Sequence, residues 1–450
     1  MRRTAIVVGA GAGGAAAARE LARAFDVTIM EAGGEFRPLR LPYSVLQTIR
    51  GSGLLLDERM IQTVYPAMRL GKTRDGMVLV RGRGLGGSTT LCTANALRMD
   101  GDLQALGIRL DEEFAELERE LPIGTGHQRF WNADTRFLFE LCREMGLSPS
   151  PMPKMIDTRR CRHCGRCVLG CPTGAKWDSR RFLTDALRRG ARLLPRTSVE
   201  RVAIAGGRAN GVWARSGVIR RFFPADLVIL AAGGLGTPAI LERSGITCAP
   251  SLFVDPVLCV AAHRKNAFQQ HEIPMPFAIQ REGYILSPYF DLLSFFFNPG
   301  WRAPASDIIS LMIKLADTPR APGEPLPAGD RDKLAEAAEL ASEILRCIGI
   351  PKEEIFFGTL NAGHPGGRLP LSAREAASLH PESLPENLYA ADATLLPASL
   401  GNPPILTIMA LARRIARLCI RQLSGLPQSH VAYQPDGDTT CRQGRYYICG

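Results

Sequence analysis

No stretch of 18 apolar residues occurs in this 450-residue chain; the nearest approach, YILSPYFDLLSFFFNPGW at 284–301, is broken by Pro288, Asp291 and Pro299. That argues against a membrane-spanning helix. No basic run interleaved with aromatics appears, so no nucleic-acid partner is expected. No leader precedes the first strand, which opens straight after Met-Arg-Arg, and a soluble cytoplasmic protein is expected. The 45 Gly and 32 Pro follow no repeat period. With 46% hydrophobic and 22% charged residues, the composition is that of a globular protein and excludes a disordered or fibrous one. The net charge of +11 favours an anionic partner, a membrane surface or a charged substrate, or else marks a solvated Arg-rich surface.

Cysteine is plentiful. Twelve cysteines without an export signal read as thiols or metal ligands and not as disulfides. Eight are scattered, as small core residues usually are. The other four, Cys161, Cys164, Cys167 and Cys171, fall within eleven residues as C-x2-C-x2-C-x3-C-P. This is the spacing of a bacterial ferredoxin half-motif, and it predicts a [4Fe–4S] cluster. The fourth ligand is either Cys171 or a remote thiol, Cys441 or Cys449 in the tail CRQGRYYICG. Arg159, Arg160, Arg162 and Arg166 surround the group and would offset its negative charge. The competing readings are a structural zinc site and unligated thiols, although zinc ribbons use two well separated CxxC pairs.

Residues 4–31 predict a strand, a helix and a second strand. TAIVV is a continuous apolar run suited to a buried parallel strand. GAGAGGAAAARELARAF opens on glycines and continues in strong helix formers, and VTIME closes the unit. Gly9, Gly11 and Gly14 spell G-x-G-x-x-G: the first permits the turn, the second lets the backbone approach a pyrophosphate, the third allows close helix–strand packing. The helix N-terminus adds free N–H groups, and Glu31 ends the second strand where it can accept from a ribose. A dinucleotide site is expected, FAD or NAD.

A second Gly-rich loop, GRGLGGSTT at 82–90, follows the strand-like MVLVRG. Residues 200–233 read as a meander with turns at Gly206-Gly207 and Gly217, followed by the buried strand LVILAAG. Thr237 and Pro238 are expected to open the next helix as cap and first-turn residue. NLYAADATLLPASLGNPPILTIMALARRIARLCIRQL predicts a strand, a loop holding Asp392 and a helix from residue 405. Residues 100–190 read as helical at both ends around the cysteine group, and 251–380 as rich in aromatics. Read as a strand, Phe295-Phe296-Phe297 cannot all face one side, so one of them is expected at a cavity, an interface or a membrane.

Together these motifs resemble the glucose–methanol–choline (GMC) family of FAD-dependent oxidoreductases. The likeness is carried by GAGAGGAAAARELA with VTIMEAGG, GRGLGGSTT, VILAAGGLGTPAILERSGI and NLYAADATLLPASLGNPPILTIMALARRIA, in the family's order. CGRCVLGCPTGAKWDSRRFLTDAL is similar to the branch that includes long-chain alcohol oxidases, whose pattern holds only the later three cysteines.

The resemblance implies bound FAD, with Gly9, Ala10, Gly11 and Gly14 at the pyrophosphate and Glu31 at the adenosine ribose. Gly86, Gly87, Ser88 and Thr89 would lie along the diphosphate and flavin, Val199 at the adenine, and Ala232 and Gly233 close to the cofactor. Asp392 would bond its ribityl or phosphate portion. Pro404 and Ile405 would start a helix whose positive end faces the flavin pyrimidine. The loop at 82–90 holds no His, which argues against a histidyl-linked flavin there. His364, in NAGHPGGRLP, falls where the family keeps its active-site His and would serve as general base. The family's second active-site position is Pro403 here, with Asn402 one residue earlier as its substitute.

The expected fold is α/β (α+β overall). A Rossmann-like FAD-binding domain is assembled from 1–100, 191–250 and 381–425. A helical region at 101–190 carries the iron–sulfur insertion at 158–175, an antiparallel-sheet substrate domain spans 251–380, and a tail runs over 426–450. The expected function is oxidation of the CH–OH group of an apolar alcohol by hydride transfer to flavin N5. Electrons would leave through the cluster to a one-electron carrier, a ferredoxin-like protein or a quinone, with contact to a membrane surface or redox subunit. The alternatives are a reductase running the opposite way and a non-catalytic electron-transfer flavoprotein subunit. The sequence leaves the oligomeric state open.

Overall fold

In a computed structural model of the protein, residues 2–53, 58–298, 300, 301 and 303–423 are described. The opening unit forms as strand Thr4–Val8, helix Ala12–Leu21 and strand Asp26–Met30. The first strand is apolar and buried from Ala5 to Val8 because it sits in the middle of a five-stranded sheet. The order there is Leu388–Ala390, Leu227–Leu230, Thr4–Val8, Asp26–Met30, Arg192–Leu194, and each pairing is parallel. Residues from the two ends of the chain thus share one sheet, the discontinuous assembly that the sequence predicts. The meander forms as Thr197–Ala205, Arg208–Ser216 and Ile219–Pro224, and Gly206 and Gly217 hold φ of 59° at its turns.

A nine-stranded sheet supplies the second layer, antiparallel except where Asn361–Ala362 runs parallel to Val78–Gly82. Its central strand, Ile308–Leu315, is buried along its whole length. Alternation sends Ile309, Leu311, Ile313 and Leu315 toward the helix Ala328–Cys347. Ile308 and Met312 pack on the other side, the face that also carries Lys314. The fold is mixed α/β with one parallel and several antiparallel sheets. Among the described residues no helix is long and apolar enough to cross a membrane. Cys441 and Cys449 lie outside the described residues.

Two local expectations need correction. The helix expected to open at Thr237-Pro238 runs over Gly233–Arg243, with Pro238 inside it. Gly233–Gly236 already forms the first turn, and the Thr237 hydroxyl instead accepts from Ala232 N and donates to Asp392. Residues 292–297 form a short helix and not a strand, capped by Asp291, which accepts from Leu293 N at 3.0 Å. Helical winding turns neighbouring side chains by about 100°, so Phe295 and Phe296 both reach the core that holds Tyr43, Phe290 and Trp301.

The helices Ala12–Leu21, Asp111–Glu120 and Ile405–Leu423 are locked together by charge. Arg413, 1% exposed, donates to Glu116 at 2.9 Å and Glu120 at 2.7 Å and stands 3.5 Å from Glu20. Arg417 joins Glu20, Glu113 and Glu116 in the same network. Removing one member of a buried set leaves the others uncompensated. Arg413→Ala should therefore destabilise the fold by about 3–5 kcal/mol, read from denaturant unfolding; an unchanged midpoint would mean that the network is energetically neutral.

Candidate active site

One cavity of about 790 Å³ runs along the edge of the parallel sheet. Gly9, Gly11, Glu31, Gly87, Ser88, Thr89, Val199, Ala232, Gly233, Asp392, Pro404, Ile405 and His364 line it. Ala10, Gly14, Gly86 and Asn402 are not among the lining residues. The turn fits a diphosphate: Gly9 holds φ 105° with no room for a Cβ against the Ala231 carbonyl, and the helix N-terminus follows at once. Glu31 accepts from Ala10 N at 3.0 Å, Gly33 N at 2.8 Å and Gly84 N at 3.2 Å, so its carboxylate ties the two glycine loops together at the cavity. Asp392 does the same for the third loop, accepting from Gly233 N at 2.8 Å and from Thr237 and Thr394. Asn402 pairs with Gln280 and is not brought to His364. Among the described residues no Phe, Tyr or Trp of 251–380 lines the cavity; Phe253, Phe277, Phe295 and Trp301 are core.

His364 is a quarter exposed, and its Nδ1 lies 3.2 Å from Asp255 Oδ2. The same carboxylate takes Lys314 Nζ and the Ser399 hydroxyl. Asp255 sits at φ 54°, a strained conformation for a non-glycine residue. It is held there by Asp317, which accepts from Asp255 N at 2.8 Å and is paired with Arg320 at 2.7 Å. Burial would raise the Asp255 carboxyl, but Lys314 and the bond to His364 outweigh it and hold it at about 2. Burial, aided by the Lys314 ammonium, pushes the His364 imidazole below 6.5 against the pull of Asp255. With Nδ1–H donated to a carboxylate, Nε2 is left as a free acceptor at the cavity. Sequence reasoning missed Asp255 and Lys314, although each is a lone charge in an apolar run, SLFVDPVL and IISLMIKL.

The four clustered thiols, Cys161, Cys164, Cys167 and Cys171, line a second, smaller cavity. Among the described residues no three His, Cys, Asp or Glu side chains close on a single-ion position, so the thiols share the cavity without meeting at one point. Burial raises the Cys167 thiol to about 12 despite Lys176 and Lys154 nearby. Burial would also raise Cys171, but hydrogen bonds from Lys176 N at 3.4 Å and from Thr173 bring it below the usual thiol value. Of the arginines, Arg162 and Arg166 line this cavity. Arg166 turns inward to the carbonyls of Leu39 and Leu41 at 2.6 and 2.7 Å.

The two cavities share a wall. Lys176, 2% exposed, donates from Nζ to the carbonyls of Thr89 (3.1 Å), Thr90 (2.8 Å), Cys92 (3.0 Å) and Cys167 (2.9 Å). Thr89 and Cys92 line the first cavity, Cys167 the second. Lys154, also buried, bonds the carbonyls of Thr93 and Pro274 beside the same segment. No local pattern in the sequence marks either lysine.

The GMC oxidoreductase family model matches residues 4–254. An uncharacterized GMC-type oxidoreductase of Mycobacterium tuberculosis is 32% identical over 275 residues, which are 56% of this chain but only 40% of that protein. A long-chain-alcohol oxidase of Arabidopsis thaliana is 25% identical over 521 residues, spanning 92% of this chain and 66% of its own. Pyridoxine 4-oxidase from Mesorbium loti shares the fold: TM-score 0.66 at 18% identity, over 92% of this chain and 98% of that one.

The Lys314–Asp255–His364 contact makes a signed prediction. In histidine-labelled protein followed by NMR, His364 should titrate below 6.5. Lys314→Met should move that titration to higher pH and Asp255→Asn to lower pH. The same midpoint in all three proteins would show that the buried pair does not govern the imidazole.

Proposed function

The chain belongs to the GMC oxidoreductase family, and from that premise we propose that it oxidises the CH–OH group of an alcohol using bound FAD, as GMC oxidoreductases do. Cys161, Cys164, Cys167 and Cys171 would hold a [4Fe–4S] cluster, which would supply a one-electron exit from the site. When bound, FAD supplies the acceptor for the carbon-bound hydrogen, taken with its electron pair as hydride. His364 Nε2 accepts the hydroxyl proton as the carbonyl forms, the task of a general base. Asp255 fixes the ring through Nδ1, and Lys314 keeps the imidazole neutral beforehand. The helix Ile405–Leu423 begins at the cavity, where its free N–H groups favour negative charge.

The single observation that carries the wired reading is the shared wall: Thr89–Cys92 borders the dinucleotide cavity and is tied through Lys176 to Cys167. Four soft thiolates are the donor set of an iron–sulfur cluster. The four thiols line one cavity, and their close spacing in the chain, unlike the two separated pairs of a zinc ribbon, is what supports a cluster over tetrahedral zinc. Cys171, the most readily ionised of those with a resolved shift, suits the fourth ligand. When bound, the cluster would release electrons singly to a one-electron carrier. Arg129, Arg160 and Arg181 are exposed around this loop and spend their hydrogen bonds on the carbonyls of Thr158, Thr173 and Gly174. An acidic, ferredoxin-like carrier suits that surface.

Anaerobic bleaching of the flavin by a panel of alcohols tests the reading. His364→Ala should retain FAD but slow bleaching by about 10²–10⁴-fold. An undiminished rate would remove His364 as the base, and bleaching only by a reduced carrier would reverse the direction.

A further inference from the structure

Three arginines line the cavity that His364 faces: Arg69, Arg81 and Arg83. Arg69 and Arg81 stand directly opposite each other on the antiparallel pair Met68–Lys72 and Val78–Gly82. Like charges in that position repel; burial, with the like charge of Arg83, depresses both guanidiniums below their usual value, and Arg81 adds to the effect on Arg69. Among the described residues neither forms an ion pair. Arg69 makes only a long contact to Gln62 at 3.5 Å, and its Nε is buried with no partner. Arg83 is partly used, donating to Ala32 O at 3.2 Å.

This pair and the base face one space. Asn361 pairs with Val78 and Ala362 with Leu79 in parallel, and Gly363 lies near the Val80 carbonyl. Arg69, Arg81 and His364 all line the same cavity. Two guanidiniums held face to face without a carboxylate are an incomplete arrangement, and a planar or tetrahedral oxyanion completes it by accepting from both.

We propose that Arg69 and Arg81 bind an oxyanion, a carboxylate or a phosphate, carried by the alcohol that His364 deprotonates. The substrate class is then an anionic hydroxy compound. This rests on the alcohol-oxidising reading above and narrows its substrate. The same oxyanion chemistry could come from the diphosphate of FAD, and the test separates the two sources.

Inorganic phosphate and 4-hydroxybutanoate serve as probes, titrated calorimetrically into the FAD-loaded protein. The wild type should bind at least one of them saturably. Arg81→Gln and Arg69→Gln should each weaken that binding by about tenfold or more while leaving FAD content and the melting temperature unchanged. No saturable binding to the wild type, or equal binding by the variants, overturns the proposal. Variants that lose FAD but not probe binding assign the arginines to the cofactor diphosphate, which also overturns it. A wild type that purifies without FAD yet binds the probes through these arginines would count against the flavoprotein reading and not against the oxyanion site.

Discussion

A buried ammonium must be satisfied or expelled, and Lys176 is satisfied only where two loops meet. Its bonds run to two carbonyls at the end of the second glycine loop, to one just after it and to one of the cysteine loop. The Lys176 backbone N–H also bonds Cys171 Sγ. One residue therefore fixes the distance between the dinucleotide cavity and the thiol cavity. It also supplies positive charge where thiolates and a cluster would bring negative charge. Burial pulls the neighbouring Lys154 down to about 7, against the pull of Cys167 and Cys92.

The other half of the site is organised by a sheet. Because Ile308–Leu315 alternates, the residues that bury the helix Ala328–Cys347 leave Lys314 on the opposite face, where it meets Asp255. Asp317 holds the Asp255 backbone N–H, the Ser399 hydroxyl donates to one carboxylate oxygen, and the other oxygen is shared by Lys314 and His364. A chain of paired charges thus ends in a single uncharged imidazole at the cavity. The same sheet carries Arg69 and Arg81, so base and arginine pair are positioned by one set of strand registers.

The local part of this account is readable from the sequence. The opening strand–helix–strand, the glycine loops, the meander and the last helix depend on neighbours within a few residues, and glycine at a left-handed turn such as Gly9 or Gly217 announces itself. Glu31 is legible because motif spacing carries it, and Val199, Asp392 and His364 because the family resemblance does; all four line the cavity. What the sequence hides is contact at a distance: Asp255 meets Lys314 across 59 positions and Lys176 meets Thr89 across 87. The Phe295–Phe297 segment misleads because aromatic runs suit strand and helix alike, and here the Asp291 cap decides. Much of the aromatic set of 251–380, Phe253, Phe277, Phe295 and Trp301 among it, packs as core, as such a set more often does than form a pocket.

The adjacency of the two cavities has meaning only if both are filled and electrons pass between them. The most direct measurement is iron, acid-labile sulfide and FAD on protein purified without oxygen, followed by the iron spectrum on adding an oxidisable alcohol. About four iron and four sulfide per FAD, with the iron reduced by the alcohol, is the predicted result. FAD without iron, or iron that the alcohol leaves oxidised while the flavin bleaches, would contradict it.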